Sequence, residues 1–232
     1  MNEQPNWGIS VPLKQFAITA ASRLNWLPHG VSFAADYRRK FPQKPIRLIF
    51  DVGANVGQSV VEFQRDFTSA TIFSFEPDEN SFEILRRINH RAYNLALSSS
   101  PGQLRFDNRS PLSEIRSIAN DQGDESLPVV SVTTVDQFCS EQDINHIDLL
   151  KIDTEGHDLE VISGASKMLR EGSIDAVIAE CSLKQQSKRL ISYSQLQTAM
   201  RDYGYVCFGI YQQALGGNEI NWGNCAFVRQ SM

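Results

Sequence analysis

Basic residues are sparse and never run longer than Arg38-Arg39-Lys40; 22 Lys plus Arg face 27 Asp plus Glu, for a formal charge of −5. That balance supplies no broad field for phosphates and argues against a nucleic-acid partner. Cysteine is scarce as well. The four residues, Cys139, Cys181, Cys207 and Cys225, form no C-x-x-C pair, and three sit inside apolar runs. This argues against a zinc site and a disulfide framework, and for a reducing, cytoplasmic setting. Long apolar runs are missing too: the best stretch, residues 11–27, is broken by Lys14, Gln15, Thr19, Ser22, Arg23 and Asn25. We therefore expect neither a signal peptide nor a transmembrane segment. No internal repeat or low-complexity tract appears. The 232 residues, 41% apolar and 21% charged, suit one large α/β domain with at most a terminal extension.

What is present is alternation. Helical spacing over residues 9–24 and a weaker helical piece over 33–41 precede Pro42 and Pro45, which mark a boundary between an N-terminal helical extension (1–45) and a main domain (46–232). Strands are expected at 46–52, 71–75, 92–97, 104–106, 129–135, 147–152, 174–179, 205–210 and 225–228. Helices fall between most of them, with expected caps at Asn80 (with Glu83) and Ser194 (with Gln197). One helix should carry Leu159, Ile162, Ala165 and Leu169, and the polar stretch 107–126, with Arg109 and Arg116, reads as a loop placed to cover a substrate. Buried strands separated by amphipathic helices predict a doubly wound, mostly parallel sheet, and the last two strands should close it as an antiparallel hairpin. Trp7, Trp26 and the basic tripeptide would suit a lid or membrane-surface element; a helix covering a sheet edge or forming a dimer contact is the simpler reading.

The first strand of that sheet runs into Asp51-Val52-Gly53-Ala54-Asn55-Val56-Gly57 and then a helix, and the second ends in Phe75-Glu76-Pro77. A glycine turn lets a ligand approach the backbone at the carboxyl edge of the sheet, and a carboxylate one strand over can accept both hydroxyls of a ribose. Together they predict an adenosine cofactor bound by Asp51, Gly53, Asn55, Gly57 and Glu76. A dinucleotide fingerprint needs Gly-x-Gly-x-x-Gly, but Asn55 holds the second glycine position and Gly57 comes one residue early for the third. An acidic turn suits S-adenosylmethionine, which is cationic and has no phosphate. A nicotinamide-dependent oxidoreductase is the alternative, weakened further by the lack of a Tyr-x-x-x-Lys pair; a non-catalytic nucleoside-cofactor-binding protein is a third reading.

A second strand end, Asp148-Leu149-Leu150-Lys151-Ile152-Asp153-Thr154-Glu155-Gly156-His157-Asp158, puts alternating charges where the chain leaves the sheet. The helix macrodipole explains acids at Glu155 and Asp158 but not Lys151 or Asp153. These segments, with Asn94-Leu95-Ala96-Leu97 and Ala179-Glu180, resemble the FkbM-type S-adenosylmethionine-dependent methyltransferases over roughly residues 46–183. The resemblance implies a class I, Rossmann-like methyltransferase fold with seven strands, the last reversed. It also implies Asn94 and Ala96 as cofactor positions, and O-methylation of a hydroxyl on a carbohydrate or related natural-product acceptor. His157-Asp158 stands where many members carry a small or aromatic residue followed by Glu.

Methyl transfer to a weakly nucleophilic hydroxyl needs help in removing its proton. Asp153 is the first candidate as base or ligand of a divalent metal, and His157 is the second base candidate. Lys151 completes the catalytic candidates. Glu155 and Glu180 are candidates for acceptor binding, and Glu180 would join Asp153 at a metal, or would orient Lys151 through an ion pair.

Overall fold

The computed structural model describes residues 27–107, 114–117, 126–184 and 190–230. The chain divides into two compact units, Met1–Pro45 and Ile46–Met232. The expected helix over 9–24, Trp7, Trp26 and Arg109 lie outside the described residues. In the first unit, helix α1 (Phe33–Lys40) is capped by Ser32, whose side chain accepts from Ala35 N, and ends in Arg38, Arg39 and Lys40, where the helix dipole favours cations. Its buried Asp36 accepts from Gly30 N at 2.7 Å and from Arg39 at 2.6 Å.

The second unit is built on a seven-stranded sheet. Its strands are β1 (Leu48–Val52), β2 (Thr71–Phe75), β3 (Ala92–Tyr93), β8 (Ile147–Ile152), β9 (Ile174–Ser182), β10 (Tyr205–Gly216) and β11 (Glu219–Arg229), in the order β10-β11-β9-β8-β1-β2-β3. Every neighbouring pair from β9 to β3 is parallel; β11 runs antiparallel to both β9 and β10 and so is the reversed strand. Buried runs such as Leu149-Leu150 and Ala176-Val177-Ile178-Ala179 are what a sheet covered on both faces requires. The final hairpin is longer than the sequence suggests, turning only at residues 217–218.

A second sheet, β4-β7-β5-β6, joins β4 (Ala96–Leu97), β5 (Gly102–Asp107), β6 (Glu114–Ser117) and β7 (Val129–Thr133). It corrects two expectations. The strand read over 92–97 is split, because Asn94 turns the chain: its Nδ2 donates to Glu76 O and Pro77 O, both at 3.0 Å, while Leu95 N reaches back to Tyr93 O. The stretch read as a loop over 107–126 contributes β6, antiparallel to β5 with Arg116 opposite Arg105.

The helices are α2 (Gln58–Asp66), α3 (Glu79–Ile88), α4 (Val135–Glu141), α5 (Asp158–Gly164), α6 (Ser166–Glu171) and α7 (Tyr193–Asp202). Two caps sit two residues earlier than expected. Asp78, not Asn80, caps α3, and Glu83 pairs with Arg86 instead. Ser192 with Gln195, not Ser194 with Gln197, forms the capping box of α7. The helix expected over 159–169 breaks at Ala165 into α5 and α6. Phe138 of α4 meets Phe50, Phe75 and Tyr93 edge-on, with ring centroids 5.7, 4.8 and 4.9 Å away. This aromatic wedge fixes the strand ends that immediately precede Asp51 and Glu76.

Candidate functional site

Parallel register builds the site. Asp51 in β1 lies opposite Lys151 in β8, and Lys151 in turn lies opposite Ile178 in β9. Asp51 is fully buried; its Oδ2 accepts from Ser59 Oγ at 2.5 Å, and its Oδ1 stands 3.3 Å from Lys151 Nζ. The same ammonium lies 3.1 Å from Asp153 Oδ2. Burial alone would lower the Lys151 pKa, but the carboxylates of Asp51 and Asp153 outweigh it and hold the group above the ordinary lysine value. Lys151 therefore bridges the end of β1 to the residue that follows β8.

The two strand ends are also locked through the backbone. Asp153 N donates to Val52 O, while Gly53 N and Ala54 N donate to Phe75 O. Gly53 has φ +74, and a Cβ there would stand 1.9 Å from Asp153 O. Only glycine permits that approach. Asn55 shares the left-handed region at φ 48, and Gly57 begins α2 with no side-chain cap.

Glu76 is 6% exposed, yet both its oxygens have partners: Oε2 accepts from Asn55 N and Oε1 from Asp78 N, each at 2.8 Å. Burial pushes its pKa up to about 7, against the lowering pull of those two N–H groups. The glycine turn and the acid thus belong to one hydrogen-bonded unit. Asn94 holds the backbone just beyond Glu76, and Ala96 is buried in β4, pairing with Val132.

Past β8 the chain forms an elbow with Glu155 at φ 56 and Gly156 at φ 105. Carboxylate oxygens of Asp153, Glu155 and Glu180 all lie within 4.8 Å of one another, and the three residues are half-buried. His157 belongs to a different set: its Nε2 is 2.8 Å from Ser98 Oγ and its Nδ1 3.8 Å from Glu160. Burial lowers its pKa, with Glu160 pulling the other way, which keeps the imidazole neutral at pH 7. Asp158, which opens α5, is 1% exposed; its Oδ2 accepts from Gly156 N at 3.1 Å and its Oδ1 has no hydrogen-bond partner. Burial raises its pKa to about 6, and the nearby Asp153 adds to the rise.

Most of the charged residues read from the sequence thus fall into three linked groups, Glu76 with Asn55, Lys151 with Asp51 and Asp153, and Asp153 with Glu155 and Glu180, while His157 stands apart with Ser98 and Glu160. Sequence reading gave no role to Ser59, Asp78 or Ser98. Ser59 and Asp78 flank the glycine turn and the acid closely enough to have been suspected, whereas Ser98 reaches His157 only through tertiary packing. In the terminal hairpin, Tyr211 is buried and Trp222 lies opposite Ser182. No helix among the described residues is long and apolar enough to cross a membrane.

Residues 51–207 match the family described as the methyltransferase FkbM domain. A hexuronic acid methyltransferase of Haloferax volcanii, AglP, is 27% identical over 160 residues, 65% of this chain and 64% of that protein. A 2-O-methyltransferase of Sinorhizobium fredii, NoeI, is 26% identical over 55% of this chain and 60% of that protein. The chain thus matches a little under two thirds of the length of these relatives. The crystal structure of a methyltransferase FkbM from Methylobacillus flagellatus superposes with a TM-score of 0.52 at 16% identity, covering 80% of this chain and 44% of that one. The sheet order, with its single reversed strand, is the class I methyltransferase fold. The matched segment takes in the glycine turn, Glu76, the charged elbow and Glu180, and on that extent the chain belongs to the FkbM methyltransferase domain family.

Proposed function

We propose that this protein transfers a methyl group from S-adenosylmethionine to a hydroxyl oxygen of a carbohydrate or a related small acceptor. The observation that carries this reading is Glu76. A carboxylate has about four acceptor positions, and the two backbone N–H groups on Glu76 use one on each oxygen. Each oxygen is oriented and still able to accept a ribose hydroxyl. Asp51, anchored by Ser59 and Lys151, puts a carboxylate at the turn where a dinucleotide site would place a pyrophosphate. That favours the cationic methyl donor over a nicotinamide cofactor. The acceptor class draws support from the sugar-acid and 2-O-methyl activities named for two relatives.

In the transfer the acceptor oxygen forms a bond to the methyl carbon as the carbon–sulfur bond breaks, and the hydroxyl proton leaves. Alignment supplies much of the acceleration. Asp153 is the first candidate for that proton, held in place by the Lys151 ammonium. Neutral His157 is the second, oriented by Ser98. Asp153, Glu155 and Glu180 are oxygen donors of the kind that suit a hard divalent cation, which when bound would make an acceptor hydroxyl more acidic.

Calorimetry of the full chain with S-adenosylmethionine, S-adenosylhomocysteine and NAD tests the donor. Binding of the first two and not the third is expected; tight NAD binding alone would overturn the reading. Formation of S-adenosylhomocysteine over a panel of neutral sugars and uronic acids tests the acceptor, and donor binding with no turnover on any of them would favour a pure binding protein. Asp153→Asn keeps the shape but removes the charge, and should cut turnover about 10²–10⁴-fold with little change in donor affinity. Near wild-type turnover in that variant would hand the role of base to His157.

A further inference from the structure

At the opposite edge of the main sheet, where β8 and β9 begin, His146, Asp148 and Asp175 bring one nitrogen and two carboxylate oxygens within 4.8 Å of one another. We propose that these three side chains bind a divalent transition-metal ion of the zinc class. Nothing in the methyl-transfer reading calls for this site, and it shares no residue with the cluster at the carboxyl edge.

The distances carry the argument. His146 Nε2 stands 3.5 Å from Asp148 Oδ1 and 3.3 Å from Asp175 Oδ2. Both exceed the usual 2.7–3.2 Å of an N–H···O bond, and one Nε2–H can point well at only one acceptor. A tetrahedral zinc ion with bonds of about 2.0–2.1 Å separates its ligand atoms by roughly 3.3–3.4 Å. The two imidazole–carboxylate spacings are therefore loose for hydrogen bonding and close to those of a shared cation. One imidazole with two carboxylates is also a donor set that zinc accepts, leaving a fourth position for water.

The supporting contacts fit as well. Asp148 Oδ2 accepts from Arg47 N at 2.8 Å and from Leu48 N at 2.7 Å, which fixes the carboxylate and leaves Oδ1 for His146. Ligands held in this way by further hydrogen bonds are the pattern of built metal sites. The Asp175 side chain is 9% exposed and that of Asp148 16%, while His146 is 47% exposed and open to an arriving ion. Two ligands sit in or beside β8, one is the second residue of β9, and the Asp148 contacts reach the start of β1. A metal here would clip together the starts of three adjacent parallel strands, a structural role.

The test is titration of the full-length, chelator-treated protein with Co²⁺, read by its visible absorption, followed by competition with Zn²⁺ and by thermal unfolding. We expect one ion per chain, a tetrahedral or five-coordinate cobalt spectrum, and a rise in Tm of about 5–10 °C at metal a hundredfold above Kd. His146→Ala, at an exposed position that should not disturb folding, removes the spectrum and the Tm rise, and Asp175→Asn weakens both. Absence of cobalt binding would overturn the proposal. So would binding that survives His146→Ala but is lost in Glu180→Gln, since the ion would then sit at the carboxyl edge. Donor affinity, measured in parallel, is expected to be the same in His146→Ala and wild type, so failure here is distinguishable from failure of the methyl-transfer reading.

Discussion

Glu76 is held in place at a cost to folding. Its carboxylate is buried beside Asp51 and Asp78 and kept in place by two backbone N–H groups, and burial outweighs those bonds, raising its pKa to about 7. Near neutrality the unliganded protein therefore carries Glu76 partly protonated, while ribose hydroxyls are bound best by the ionised form. Affinity for S-adenosylhomocysteine should rise between pH 6 and pH 8, as calorimetry at the two values would report. Glu76→Ala should lower it about ten- to a hundredfold, at roughly 1.5–3 kcal/mol for a bond to a charged group, and flatten that pH dependence. A second residue-scale prediction concerns Gly53. At φ +74, with a Cβ placed 1.9 Å from Asp153 O, Gly53→Ala incurs both a left-handed alanine and an overlap with immovable backbone, together about 2–5 kcal/mol. Gly217→Ala, at φ +70 in open space, incurs only the first, about 1 kcal/mol. Urea unfolding of the pair would separate the two costs. Glycine turn and acid were readable because their roles depend on neighbours in sequence. The Ser98–His157 contact was not, since it joins residues far apart in the chain that only folding brings together.

Among the elements, register decides which charges meet. The parallel pairing of β1 with β8 sets Asp51 opposite Lys151, and the side chain of Lys151 then spans to Asp153, just past the end of its own strand. The sequence supplied the three charges and the strand ends, but pairing Lys151 with Glu180 was as reasonable a reading until the register was known. Removing the shared cation leaves the fully buried Asp51 carboxylate without its ammonium, beside the half-buried carboxylate of Asp153. Lys151→Met should therefore destabilise the fold by about 3–5 kcal/mol, and Asp51→Asn in the same chain should recover part of the loss; a double-mutant cycle by chemical unfolding measures both. Caps show a similar ambiguity on a smaller scale. Ser192 and Ser194 are each followed three residues later by glutamine, so the motif alone fits two helix starts. The earlier one keeps Tyr193 inside α7, where Gln197 Nε2 donates to its hydroxyl at 3.0 Å. Ser192→Ala should cost about 1 kcal/mol, and Ser194→Ala clearly less.

For the molecule as a whole, alternation of buried strands and amphipathic helices was enough to predict the parallel sheet and its closing antiparallel hairpin, and the family resemblance added that the last strand is the reversed one. The second sheet was not, because it depends on a two-residue break at Asn94 and Leu95 inside what looks like one apolar strand. The topology gathers the carboxyl ends of β1, β2, β8 and β9 on one edge, and with them the acids whose burial opposes folding. This has a consequence for global stability. Glu76 and Asp158 have folded pKa values of about 7 and about 6, raised from ordinary values of 4.5 and 3.8. Their favourable contribution is thus full below the unfolded values and is lost as pH rises through the folded ones. His157, whose pKa is lowered by burial, works in the opposite sense, costing stability as pH falls through its unfolded value. A wild-type pH profile alone would mix the two trends. Comparison with the double variant Glu76→Gln and Asp158→Asn isolates the carboxyls, because His157 titrates in both proteins. Between pH 5 and pH 8 the wild type should lose about 2–4 kcal/mol of unfolding free energy relative to the double variant. In the proposed role of Glu76, donor binding favours the ionised carboxylate and should shrink that loss when S-adenosylhomocysteine is present at saturation. Parallel profiles for the two proteins would mean that these acids ionise in the folded state as they do in the unfolded chain. The carboxyl edge would then be open to water, and the orientation of Glu76 would rest on its two backbone bonds alone.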